Sequence, residues 1–265
     1  MERNSFIQSA RERISHAIII SDIHLGWAAC NETHARLLGN LYKITENAEL
    51  IILNGDIIDH LRRAFSRSSR RLIGKMQSLV VEWRARGTSV VYIEGNHDRA
   101  GIAADGFIPE YPFYEFFGHE GEKIRVFHGH EEMSPRITDY DAIGSVIHSA
   151  DNFLFSRYPL LRPMMKAVSG GFQRLFAYLE DLAWHANIKR ILAGRFHDAD
   201  VFVHGHMHFG PFHYMVNGKP VYRSGSWVSG GCPGVSTGLL RYIKGKFERL
   251  DLVGEEWVSC PSLSK

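Results

Sequence analysis

Five short stretches of this chain hold the groups best suited to binding a metal ion or moving a proton. They are "SDIHLG" (21–26), "NGDIID" (54–59), "EGNHD" (94–98), "HGH" (128–130) and "HGHMH" (204–208). Asp22, Asp56 and Asn96 offer oxygen, while His24, His128, His206 and His208 offer imidazole nitrogen. These seven groups exceed the needs of one tetrahedral zinc but suit two cations sharing a bridging carboxylate. Two ions about 3.5–4 Å apart can activate a water molecule and clamp a phosphoryl group. A nitrogen–oxygen set without thiolate suits Mn²⁺, Fe or Zn²⁺ alike. In "HGHMH" the alternating histidines first suggest a single three-imidazole cage on one strand face. The plain alternative is a polar strand-end turn, where Asp, Asn and their like serve local hydrogen bonding.

Each stretch directly follows a short apolar run: "AIII" (17–20), "LIIL" (50–53), "SVVYI" (89–93), "IRVF" (124–127) and "VFV" (201–203). These runs are rich in β-branched or aromatic residues and too short for helices, so they read as buried strands. Helical spacing over 33–47 and 70–86 separates the first three, which is the pattern of an α/β sheet. Carboxyl ends of strands in such sheets line one edge, where sites form. Asn217-Gly218 and Lys244-Gly245 mark two hairpins that close the domain. Residues 133–198 carry two helical stretches broken by prolines and Gly170-Gly171, and read as an insertion within a single domain spanning 1–265.

Composition narrows the classes. Of 265 residues, 45% are hydrophobic and 23% charged, an ordinary globular balance. A net charge of +2 provides no global field for nucleic acid, so no nucleic-acid partner is expected. Three scattered cysteines make neither a disulfide framework nor a thiolate zinc site and fit a reducing compartment. The N-terminal "MERNSFIQSARERISH" lacks the apolar core of a secretory signal, and no apolar run approaches 18 residues. A cytoplasmic protein is expected, with peripheral contact at the inner membrane left open. "LRRAFSRSSRR" (61–71) places five arginines in eleven residues without an acid. It is equally a solvated helix face or a place where Arg62 and Arg63 meet an anionic substrate. His16, His34, His148 and His185 belong to no motif and read as structural.

The ordered blocks "DIH" (22–24), "GDIID" (55–59), "GNHD" (95–98), "HGH" (128–130) and "GHMH" (205–208) resemble those of the calcineurin-like metallophosphoesterase superfamily. The resemblance implies a two-sheet sandwich flanked by helices around two divalent cations, with Mn²⁺ first and Fe or Zn²⁺ as alternatives. One ion would be held by Asp22, His24, Asp56 and His208, the other by Asp56, Asn96, His128 and His206. Water activated by the ions would be the nucleophile, so no Ser or Cys is needed. Asn96 and His97 would face the substrate. His97 would protonate or stabilise the leaving oxygen, with Asp98 orienting its ring. Asp59 and Asp98 also read as acids supporting the ligands. His204 falls outside the ligand set, and His130 stands where related proteins often carry an acid.

Within the superfamily the chain is most similar to bacterial UDP-2,3-diacylglucosamine hydrolases of lipid A synthesis. "SDIHLG", "NGDIID", "GTSVVYIEGNHD", the helical insertion and "RSGSWV" (223–228) carry that likeness. It implies cleavage of a pyrophosphate to UMP and a lipid phosphate, with the insertion as a lid and the apolar "NFLFSRYPLLRPMM" as an acyl-chain lining. One departure matters: His97 stands where the best-known branch has arginine. Relatives with histidine there include broader phosphodiesterases and phosphatases. A general phosphoesterase for nucleotides or other soluble esters is therefore the alternative, ahead of a nuclease or a non-catalytic scaffold.

Overall fold

The computed structural model describes residues 13–27, 30–60, 65–98, 109, 111–130, 184, 188–189, 192, 194, 197–207, 212–227 and 238–260. The expected runs form strands β1 (His16–Ile20), β2 (Leu50–Asn54) and β3 (Ser89–Ile93), with helices α1 (Asn31–Thr45) and α2 (Arg67–Ala85) between them. Next come β4 (Phe113–Phe117), β5 (Lys123–Phe127), β6 (Val201–His204), β7 (His213–Val216) and β8 (Lys219–Arg223). β9 (Leu239–Ile243), β10 (Lys246–Val253) and β11 (Glu256–Cys260) complete the order. One sheet runs β11-β10-β9-β1-β2-β3 and the other β4-β5-β6-β8-β7.

Side-chain alternation along β1 shows how the layers are built. Ile18 and Ile20 face α1 and α2, packing with Leu37, Leu41, Met76 and Trp83. Ala17 and Ile19 face the other way, into the space between the sheets, with Phe116, Ile124, Val126 and Val203. A strand covered on both faces must be apolar throughout, which is why "AIII" and "LIIL" show no alternation. The outer face of the second sheet buries Phe202 and Val221 against Trp184, Ile188 and Leu192.

Both hairpin turns stand where expected: Asn217 and Gly218 have φ of 51° and 77°, and Lys244 and Gly245 have 46° and 85°. Two strands lack the apolar signature used above. "FYEFF" of β4 carries Glu115 at its centre, buried because Arg125 of the neighbouring strand pairs with it. β11 lies at a sheet edge and is largely exposed, so its sequence is free of an apolar pattern.

His34 on α1 is fully buried, and burial pushes its imidazole down to about 4, with the Ile23 and Trp227 carbonyls offsetting only part of the effect. Below the ordinary value of about 6.5 the unfolded chain takes up a proton that the folded chain refuses. Stability from this residue is therefore complete above that value and falls as pH drops toward 4. Over that window His34→Gln should flatten the acid limb of unfolding free energy by on the order of 3 kcal/mol. Denaturant titrations from pH 7 to pH 4 that give parallel curves for the two proteins would rule this out.

Candidate metal centre

The parallel strands β1, β2 and β3 end on one edge, and β5 and β6, parallel in the facing sheet, deliver two further loops. Backbone hydrogen bonds knit these loops together. The N–H of Asp22 donates to the Gly55 carbonyl at 3.1 Å, that of His24 to Asp56 at 2.8 Å, and that of Gly205 to His128 at 3.1 Å. Asp22, His24, Asp56, Asn96 and His128 are all buried there. His206 is half-buried.

The donor atoms converge in two groups that overlap at one carboxylate. Asp22, His24 and Asp56 place ligand atoms within 4.8 Å of one another, and so do Asp56, His128 and His206. Asp56 Oδ2 lies 3.6 Å from His24 Nε2 and 3.3 Å from His128 Nε2. His128 turns its other nitrogen, Nδ1, toward the Asn54 carbonyl at 2.8 Å, which aims Nε2 into the cluster. His208, Arg62 and Arg63 lie outside the described residues, as do almost all of the 133–198 insertion and its apolar stretches.

Backbone geometry marks the same residues. Asp22, His24, Asp56 and His206 have φ of 53°, 52°, 53° and 63°. Beyond the two hairpin residues, they are the positive-φ non-glycine residues among those described. Such conformations are uncommon for side-chain-bearing residues and persist where surroundings over-determine them, as at functional sites. Gly55, with φ of 77°, allows the close approach: a Cβ there would fall on the His128 ring. A Cβ on Gly205 would likewise fall on Ser21 Oγ, beside the Asp22 carboxylate.

Charges inside the cluster are strongly coupled. Burial alone would raise the Asp56 carboxyl, but the attraction of His128, His97 and His24 outweighs it and holds it well below the usual range. Burial works against the His128 cation, yet the Asp56 carboxylate raises that imidazole to about 10. His206 is pushed down to about 3 by burial and by the His128 charge. Buried oxygen and imidazole donors around a shared carboxylate are the chemistry that divalent cations take up.

His97 stands at the rim, its side chain keeping 22% of its surface against 2% for Asp56. Its Nε2 is 4.0 Å from Asp56 Oδ2, and its ring meets that of His24 edge-on with centroids 4.5 Å apart. The ring is oriented by Asp59, whose Oδ1 is 3.0 Å from Nδ1. This corrects the expectation that Asp98 orients it. The Asp98 carboxylate instead accepts the backbone N–H groups of Asp56, Ile57, Ile58 and Gly95 at 2.6–3.1 Å. Tyr92 adds its hydroxyl at 2.6 Å. The physical reason is the turn itself: the strand-end loop after β2 exposes several N–H groups in a row, and a carboxylate is the group able to accept them all. Burial, then the Asp56 charge, pushes the Asp98 carboxyl up to about 7.

His24, Asp59 and His97 also lie within 4.8 Å of one another. There the Asp59–His97 pair is already at hydrogen-bond distance, which suits ring orientation rather than a third ion. Tyr92 and Ser21, both within quoted stretches but given no role from sequence, support the site through hydrogen bonds to Asp98 and to the Asn54 carbonyl. His130 is near the cluster, its ring 5.5 Å from that of His128. His204 turns away, because it shares the outward face of β6 with Phe202 and packs on Trp184. Burial pushes its imidazole down to about 3, so it is neutral.

No curated protein sequence matches the chain significantly. Similar solved structures include a conserved Streptococcus pneumoniae protein described as a predicted phosphoesterase. It is 16% identical, with 94% of this chain and 88% of that one covered and a TM-score of 0.34. Nuclease MPE of Pseudomonas putida is 17% identical, covering 92% and 87% with a TM-score of 0.37. A dimetal phosphatase from Danio rerio is 12% identical, covering 94% and 99% with a TM-score of 0.39. The calcineurin-like phosphoesterase family model matches residues 16–210, the span that contains all five blocks and strands β1 to β6. With that match over most of its length, the chain belongs to the calcineurin-like phosphoesterase family, hydrolases of phosphoesters.

Proposed function

We propose that this chain hydrolyses a phosphoester or pyrophosphate at two neighbouring divalent cations, acting on a nucleotide-linked lipid of the UDP-diacylglucosamine kind. The observation that carries the reading is the Asp56 carboxylate, which belongs at once to the Asp22–His24–Asp56 and Asp56–His128–His206 groups. Family and donor set together support divalent-metal binding. One cation would be held by Asp22, His24, Asp56 and His208, the other by Asp56, Asn96, His128 and His206. When bound, such a pair supplies Lewis-acid activation of water and neutralises charge on phosphoryl oxygens. Mn²⁺ is the metal assigned, with Fe and Zn²⁺ equally compatible with the donors.

The chain's own groups supply the proton and the orientation. Asp59 accepts from His97 Nδ1, which fixes the tautomer and turns Nε2 toward the Asp56 side of the site. In hydrolysis water adds to phosphorus and releases a proton to solvent, the bond to the leaving oxygen breaks, and the His97 imidazolium, its Nδ1–H held by Asp59, hands that oxygen the Nε2 proton. Asn96 would contact the phosphoryl group beside it. Arg62 and Arg63 are assigned to the anionic part of the substrate, and the 133–198 insertion, within a single 1–265 domain, to its acyl chains. A cytoplasmic chain touching the inner membrane surface goes with this reading. Among the described residues no helix is long and apolar enough to cross a membrane.

A second reading, a general phosphodiesterase or phosphatase for soluble esters, is favoured by His97 itself, an imidazole where the lipid-processing branch carries arginine. Hydrolysis in Mn²⁺ of a UDP-linked diacyl sugar, an aryl phosphodiester and an aryl monoester separates the two. Preference for the first supports the lipid substrate. Turnover of the aryl esters alone overturns it in favour of the second reading.

A further inference from the structure

His204 is the histidine of the 204–208 stretch that the donor groups do not use, and both of its ring nitrogens are engaged elsewhere. Nδ1 lies 2.9 Å from the Gly205 carbonyl and Nε2 lies 2.9 Å from the Tyr214 hydroxyl. That hydroxyl is 2.8 Å from Trp184 Nε1, and the Trp184 ring packs on the imidazole with centroids 4.5 Å apart. The two ends fix every proton between them. An indole N–H only donates and a carbonyl only accepts. Trp184 therefore donates to Tyr214, Tyr214 to His204 Nε2, and His204 Nδ1 to Gly205.

The peptide at which this relay ends joins Gly205 to His206. Its oxygen also accepts the Met207 N–H at 2.7 Å, and its own N–H donates to Asp22 Oδ2 at 3.1 Å. Neighbouring groups are held as firmly: the His204 carbonyl accepts both the backbone N–H and the hydroxyl of Ser224, at 2.9 and 3.0 Å. His206 itself sits at φ of 63°, a conformation that its surroundings must impose. A donor on the carbonyl side also strengthens the N–H on the other side of the same peptide, because hydrogen-bonded chains polarise one another.

We propose that Trp184, Tyr214 and His204 are positioning residues that hold the Gly205–His206 peptide, and through it the His206 ring and the Asp22 carboxylate, in the arrangement cations require. The proposal rests on the two-cation reading above, which gives His206 and Asp22 their ligand roles. It assigns Trp184, ahead of β6 in the chain, a part in metal affinity that no motif carries. The same relay explains why a fully buried imidazole stands two residues from a ligand without being one.

Calorimetric titration of the metal-free full chain with Zn²⁺ tests it, using wild type, Tyr214→Phe, His204→Phe and His204→Asn. Tyr214→Phe removes one hydroxyl and nothing else. His204→Phe keeps a ring on Trp184 but offers Gly205 no donor, whereas His204→Asn restores an N–H at similar reach. Wild type should bind two equivalents. The two phenylalanine variants should bind at least one of them about 10–100-fold more weakly, the usual cost of losing a group that orients a ligand. His204→Asn should recover most of that loss, which a packing role alone would not produce. Phenylalanine variants that bind both ions like wild type overturn the positioning role, as does an asparagine variant as weak as His204→Phe. A wild-type chain that takes up no Zn²⁺ overturns the two-cation reading along with it.

Discussion

Replacing Asp56 with alanine is expected to strip the chain of both cations and to lower turnover by roughly 10³–10⁴-fold, the several kcal/mol that bound metal contributes to such reactions. No other described residue belongs to both the Asp22–His24 group and the His128–His206 group. Asp56 is also the counter-charge that raises His128 and is itself drawn down by three imidazoles. Removing it leaves His128 buried without that carboxylate, and the imidazole then sheds its proton rather than keep an uncompensated charge. Metal content measured after dialysis, beside turnover, checks this. A variant that retains two equivalents of metal would refute the bridging role. Asp56→Asn should fall between wild type and alanine, since an amide keeps an oxygen but not the charge.

His97→Ala is expected to behave differently, keeping both cations while losing about 10²–10⁴-fold in turnover, the range for a positioned proton donor. The side chain is at the rim and is held by Asp59 at 3.0 Å, while Asp22, His24, Asp56, Asn96 and His128 lie deeper. Asp59→Asn should reproduce part of the loss and shift the pH profile of turnover, because it changes what the ring's Nδ1 meets without removing the ring. Asp98→Asn should act instead through the loop, weakening metal binding and stability, since its carboxylate holds the backbone N–H groups of Asp56, Ile57 and Ile58. Metal loss in His97→Ala would move this residue from proton donor to ligand and would turn the His24–Asp59–His97 group into a binding set.

Much of this arrangement was legible in the sequence because the relevant physics is local. A strand buried on both faces must be apolar throughout, so "AIII", "LIIL" and "VFV" identify themselves, and so do the Asn217-Gly218 and Lys244-Gly245 turns. Polar residues directly behind such strands must lie at the sheet's carboxyl edge, which gathers Asp22, His24, Asp56, Asn96, His128 and His206. The 3.6-residue period also outlined α1 and α2.

Partner choice is another matter, because it depends on distances between residues far apart in the chain. Asp98 and Asp59 lie one and thirty-eight residues from His97, and adjacency favoured the wrong one for its ring. Only the folded loops show that the neighbour of His97 turns to four backbone N–H groups while the distant carboxylate reaches the ring. Likewise, "HGHMH" announces imidazoles but not their destinations. The pleat of β6 sends His204 to the outer face with Phe202, where Trp184 and Tyr214 claim it, and the left-handed turn at His206 brings that ring back to Asp56. The sequence by itself determined which donors reach the edge of the sheet, since strand burial and periodicity are short-range. The tertiary structure decided which donor meets which, since that depends on how loops from two sheets close against one another.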